Sequence, residues 1–213
     1  MTKRLETDHL VYAVPNLANA IDEFEQRLGL APSFGGRHEG LGTHNAILPF
    51  EGETYLELIA SDPDRPATKQ PRPFGLDASY RARLVTWAVR SRTIESDVVG
   101  ACERGFDPGI VFEMSRNEPS GGVLRWKLSL RSESFGDGLV PFLIDWGTTP
   151  HPSNTHAGEA SRCVLSSFSA RHPDPTMIRA ALDALNVDLE VGLALKAGLR
   201  ARITGPRGSL ELD

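Results

Sequence analysis

The chain has 213 residues, of which 40% are hydrophobic, 24% charged and 7% aromatic, with a formal net charge of −5. A chain of about 200 residues buries roughly 70% of its unfolded surface, so this composition builds a globular core without staples. The acidic balance leaves no basic stripe to displace counterions from nucleic acid, and no run of about 18 apolar residues is present to span a membrane. The opening MTKRLETDHL is charged and lacks the apolar stretch of a secretion signal, and Cys102 and Cys163 cannot make a disulfide framework, so a cytoplasmic setting is expected.

One pattern then recurs along the chain: a short apolar strand, a helix start, an amphipathic helix and several strand-like segments. The first copy opens with the strand His9 to Val14. Asn16 is placed as helix N-cap, Leu17, Ile21, Phe24 and Leu28 form one helical stripe, and Gly29 is a C-cap. Gly42 to Leu48 and Thr54 to Ile59 read as strands, while Gly35-Gly36-Arg37-His38 reads as a glycine-rich rim loop.

The second copy opens with Leu84 to Val89. Thr93 caps a helix whose inner face is expected to carry Ile94, Val98 and Cys102. Strands follow at Gly109 to Met114, Val123 to Leu130 and Val140 to Trp146. The third copy opens with Val164 to Ser169, then Asp174-Pro175 starts a helix with Ile178, Leu182 and Leu185 on its stripe. Alternation returns at Leu189 to Leu193, Leu199 to Ile203 and Ser209 to Leu212. The segmentation is 1–62, linker 63–80, 81–147, linker 148–161 and 162–213, and modules this small act as one unit.

The run from His9 through Val14-Pro15-Asn16-Leu17, Ala20, Phe24 and Leu28-Gly29-Leu30 resembles the opening of a vicinal oxygen chelate module, of the glyoxalase/bleomycin-resistance/dioxygenase superfamily. Gly35 to His38, Gly42 to Asn45, Tyr55 to Ile59 and Pro141 to Gly147 resemble its glyoxalase-like branch. The resemblance implies an α+β fold of repeated βαβββ modules, two of them paired into a half-open curved-sheet cup, with a third, additional module. An odd number of modules leaves one without its usual partner, so a homodimer is expected.

In many members a divalent metal sits in the cup and chelates adjacent oxygens of a substrate. By resemblance His9 is the first-strand ligand; otherwise it is a strand-edge histidine bonded locally. Glu57, on the face opposite Leu56 and Leu58, is a second ligand or belongs to a solvated face. Aligning Ala88-Val89 with Ala13-Val14 sets Leu84, which cannot ligate, in the place of His9, and Asp145 matches Glu57 as a third ligand. Mn, Fe, Ni or Zn suits such a set.

His44 is a candidate proton carrier beside Glu57, and Asn45 offers an amide to a carbonyl oxygen. Arg37 and His38 form a rim that could hold an anionic group, and Trp87 and Trp146 wall the cup for a small-molecule ligand. Arg116 and Arg125 either supply positive charge to the cup or lie at the surface, and His151 and His172 are expected at the surface or in linkers. Two functional readings follow: a metal-dependent lyase or isomerase working by bidentate chelation, and a metal-free ligand-binding protein of the drug-resistance type. A catalytically silent dimerisation scaffold is the third.

Overall fold

The computed structural model describes residues 4–38, 40–64, 71–77, 80–117, 121–131, 135–155 and 162–213, so the expected linkers 63–80 and 148–161 lie partly outside the described residues. The first unit is β1 (Glu6–Ala13), α1 (Leu17–Leu28), β2 (Ser33–His38), β3 (Thr43–Pro49) and β4 (Tyr55–Ser61). The second is β5 (Arg83–Arg90), α2 (Ile94–Glu103), β6 (Ile110–Asn117), β7 (Val123–Leu130) and β8 (Phe142–Asp145). After a short helix, α3 (Pro152–Thr155), come β9 (Val164–His172), α4 (Pro175–Ala184), β10 (Glu190–Leu193), β11 (Gly198–Gly205) and β12 (Gly208–Leu212). Among the described residues no helix is long and apolar enough to cross a membrane.

Local chemistry explains the helix ends. The Asn16 side chain accepts the Asn19 N–H at 3.0 Å, and Gly29 closes α1 with φ 82°. Asp174 caps α4 by accepting the Thr176 and Met177 N–H groups. At α2 the N-cap residue Thr93 makes no side-chain capping bond, which corrects its expected role; Ser91 Oγ accepts the Thr93 N–H at 3.0 Å and donates to Asp97 at 2.6 Å. The buried face of α2 is Ile94 and Ala101, and Cys102 is exposed, which corrects its expected place on the apolar stripe.

The expected glycine-rich rim loop is strand β2. Gly35 makes this pairing possible: a Cβ there would stand 2.5 Å from Asn45 Oδ1 on the neighbouring strand.

The first two units close an eight-stranded barrel in the order β1-β4-β3-β2-β6-β7-β8-β5. Its spine is the antiparallel β1–β5 pair, flanked by the parallel pairs β1–β4 and β5–β8. Among the described residues its seam, between β2 and β6, is a single residue pair, Arg37 with Asn117. An internal two-fold relates the halves. The Val14 N–H bonds to Ile59 O and the Ser91 N–H to Ile144 O, α1 starts at Leu17 and α2 at Ile94, and both steps are 77 residues. Each leading strand carries one extra residue in a β-bulge, Asp8 in β1 and Val85 in β5, again 77 apart.

The third unit repeats the chain order of the others but not their pairing. Its sheet runs β10-β9-β11-β12, with β9 inside. One face joins the core outside the barrel, where Trp87 is fully buried, edge-on to Phe168 at 5.1 Å, with its Nε1–H donated to Leu139 O at 2.8 Å. Truncating such a ring to alanine costs about 3–5 kcal/mol. Trp87, expected as a cup wall, is thus core. The other face carries exposed Arg200, Arg202 and Glu211, so the third unit finds its apolar partner within the chain.

Candidate active site

Alternation along β1 would point Asp8 and His9 to opposite faces, but the bulge turns both inward. Asp8 is fully buried and His9 is 3% exposed. Asp8 Oδ1 faces His9 Nδ1 at 2.8 Å. Its Oδ2 accepts Arg90 Nε–H at 2.8 Å and faces His151 Nε2 at 3.1 Å, while Trp146 Nε1–H lies 3.3 Å from both oxygens. Burial alone would raise the Asp8 carboxyl pKa, but the hydrogen bonds and charges of His151 and His9 outweigh it and hold Asp8 well below the usual carboxylate range.

Asp8 therefore fixes the His9 tautomer. With Nδ1–H donated to the carboxylate, Nε2 presents its lone pair to the interior. The ring stacks on Tyr55 at 4.6 Å and meets the edge of Phe142 at 5.7 Å. Burial, followed by the charges of Asp8 and Glu57, keeps the Tyr55 hydroxyl protonated far above its ordinary range.

Glu57 Oε2 lies 3.9 Å from His9 Nε2. Its Oε1 accepts the Asn45 amide at 2.6 Å and is 3.7 Å from His38 Nε2. The Asn45 Oδ1 atom is buried without a hydrogen-bond partner among the described residues. His38 Nδ1 pairs with Thr43 Oγ1 at 2.9 Å. Burial lowers the His38 pKa below its ordinary value against the pull of Glu57, with the Arg116 charge acting in the same direction as burial. Arg116 is 4% exposed, so of its two expected places the surface is excluded.

His9, Glu57, Asn45, His38 and Trp146 thus share one site, and four expected members stand elsewhere. Trp87 is core. His44 alternates with Thr43 and Asn45 and so points outward, beside Phe34 at 6.3 Å. Arg37 pairs across from His44 on that outer face and binds Asp64 at 2.6 Å and Asp62 at 3.2 Å. Asp145 sits opposite Lys127 on the outer face of β8, its Oδ1 accepting the Gly147 N–H at 2.8 Å.

The two-fold explains why the second half supplies no donor. Val11 pairs with Glu57 and, 77 residues on, Ala88 pairs with Phe142. The counterparts of His9 and Glu57 are therefore Thr86 and Phe142, not Leu84 and Asp145. Toward the interior stand His9 Nε2 and Glu57 Oε2, and among the described residues no group of three His, Cys, Asp or Glu side chains is arranged to hold a metal. The expected divalent ion thus lacks its third ligand, and this donor set does not fit it.

Four residues of the site escaped the sequence reading. Asp8 is hidden by the bulge, Tyr55 reads as an ordinary strand aromatic, and Arg90 as a strand end. His151, expected in a linker, is 8% exposed, bonds to Ser153 Oγ at 2.7 Å and reaches Asp8 across 143 residues of chain. Only the adjacency of Asp8 to His9 was a usable signal.

No curated protein matches the sequence. A hypothetical protein from Staphylococcus aureus superposes with TM-score 0.69 at 12% identity, over 98% of this chain and 99% of that one. The methylmalonyl-CoA epimerase of Mycobacterium tuberculosis matches with TM-score 0.44 at 16% identity, over 69% and 89%. A Streptomyces coelicolor methylmalonyl-CoA epimerase in complex with 2-nitronate-propionyl-CoA gives TM-score 0.48 at 15% identity, over 69% and 100%. The family model for the glyoxalase-like domain matches residues 7–186, the barrel is built of two βαβββ units, and the chain belongs to that family.

Proposed function

We propose that the protein is a lyase or isomerase that moves a proton on a small oxygenated metabolite, with His9 as the base. The observation that carries this reading is the Asp8–His9–Glu57 arrangement: a buried carboxylate orients an imidazole whose free nitrogen faces a second carboxylate 3.9 Å away. His9 Nε2 takes a proton from carbon beside a carbonyl, and Asp8 stabilises the imidazolium that forms. Glu57 lies across from that nitrogen, and Arg116 adds positive charge to the same interior, where an enolate oxygen would collect negative charge. A divalent ion would find His9 Nε2 and Glu57 Oε2 here and would need its remaining ligands from substrate and solvent.

The test is proton exchange. Small hydroxy- and oxo-carboxylates are incubated with the protein in D2O and their C–H signals followed by NMR, with and without Mn²⁺, Fe²⁺, Ni²⁺ and Zn²⁺. Exchange that His9→Gln lowers by about a hundredfold or more supports the reading. No exchange with any substrate under either condition overturns it. Metal dependence, with near-stoichiometric metal lost in His9→Ala, would restore the chelating mechanism.

The second reading, ligand sequestration without turnover, is favoured by the Trp126–Trp146 pair, whose rings stand 5.4 Å apart on the wall above Asp8. Quenching of tryptophan fluorescence by a ligand that never exchanges its protons would select it.

A further inference from the structure

The second β-bulge also has a site built around it. Where Asp8 gathers donors in the first half, Val85 borders a cavity of about 760 Å³ that also includes Thr86 and Phe142 in its lining. That volume is in the range of small-molecule sites. Phe142 is a shared wall, since it also meets the ring of His9.

Two guanidinium groups line this cavity, each held by its surroundings. Arg131 lies 5.5 Å from the centres of both Phe106 and Phe135, and its Nη1–H is donated to Asp107 O. Arg83 lies 5.2 Å from the Tyr80 ring and donates Nη2–H to Phe74 O at 2.9 Å. Among the described residues neither has a carboxylate within salt-bridge distance, unlike Arg37, Arg90 and Arg202. One acid among the described residues, Asp137, also lines the cavity, so the described lining carries two positive charges against one negative.

The backbone points to the same place. Three described non-glycine residues have positive φ, and two of them, Phe74 at 59° and Asp137 at 52°, stand on the rim of this cavity. Such conformations are strained for residues with a side chain and concentrate at ligand clamps. Beside Asp137 the chain is drawn tight against the bulge: a Cβ on Gly138 would stand 2.0 Å from Val85 O.

We propose that this cavity is a second small-molecule site, taking an organic anion with a planar conjugated body. The phenylalanine rings bury the body, and the guanidinium forks of Arg83 and Arg131 receive the carboxylate or sulfonate. The inference is independent of proton transfer at His9.

The probes are 1-anilinonaphthalene-8-sulfonate and its neutral counterpart N-phenyl-1-naphthylamine, titrated into the full chain by fluorescence. The expected result is saturable one-site binding of the anion, weakened about tenfold by Arg131→Gln and by Arg83→Gln, with the neutral probe unchanged by either. Three outcomes overturn the proposal: no saturable binding of the anion, equal affinity for both probes in all three proteins, or a cationic dye binding more tightly than the anion and losing its affinity in Asp137→Asn. Arg131 is exposed, so its variant tests the site without endangering the fold.

Discussion

In the first half of the barrel the bulged residue of the leading strand is Asp8, followed by His9 across from Glu57; in the second half it is Val85, followed by Thr86 and Phe142. The backbone is repeated, bulge included, while the chemistry is not. One half spends its inward positions on a charged, hydrogen-bonded cluster, and the other lines a cavity with rings and guanidinium groups. A repeated scaffold fixes where side chains can converge but leaves their identity free.

The comparison breaks most visibly at Asp8. Asp8→Ala strands Arg90 and two histidines without their shared acceptor and should cost about 3–5 kcal/mol in urea denaturation. Val85→Ala, at the equivalent place, should cost about 1 kcal/mol. Equal losses at the two sites would show that the bulges matter only as backbone.

Restoring the donors sharpens the comparison from the other side. The double variant Thr86→His/Phe142→Glu gives the second half the residues of the first. It should acquire the visible d–d absorption of bound Co²⁺, with the wild type as reference. A spectrum no different from that of the wild type would mean that the halves do not converge on one point.

The acid response is smaller and separable. The folded-state pKa values of His38 and His44 lie below their ordinary 6.5, chiefly through burial, so the unfolded chain binds more protons there. Their contribution is present above that value and is lost as the pH falls below it. Asp8 is depressed below its ordinary 3.8, so a second loss begins only as the pH drops past about 4. Urea midpoints between pH 8 and 2 should show both declines, and Asp8→Asn should make the second shallower, the remainder belonging to Asp64, Asp77 and Glu95, which Arg37, Arg72 and Lys127 also hold below their ordinary values. A midpoint flat from pH 8 to 5 would contradict the histidine assignment.

The smallest effect on stability belongs to Glu57→Gln. The Asn45 amide keeps an acceptor at that position, so the change should stay within about 1 kcal/mol by thermal melting. A large loss of stability would make Glu57 a structural acid.

Much of this was legible because it was local. Asn16, Gly29 and Asp174 mark helix ends through their own hydrogen bonds or φ, and Leu56 and Leu58 show by alternation which way Glu57 faces. The rest depended on register or on distance. A two-residue error in aligning the second strand gives Leu84 for Thr86, and the same kind of slip selects Asp145, which faces outward. His44 and His38 exchange roles because Gly35 admits Asn45 and turns an apparent loop into β2. No local pattern announces that His151 folds back over the barrel end to Asp8, since that contact is set by the path of the linker.

Among the described residues only Arg37 and Asn117 pair β2 with β6, whereas β1 and β5 are paired along most of their length. The wall that shields His9 is therefore, among the described residues, held least at the point farthest from its spine. Strands joined so briefly are also where a failed closure would offer neighbours a template for adding strands.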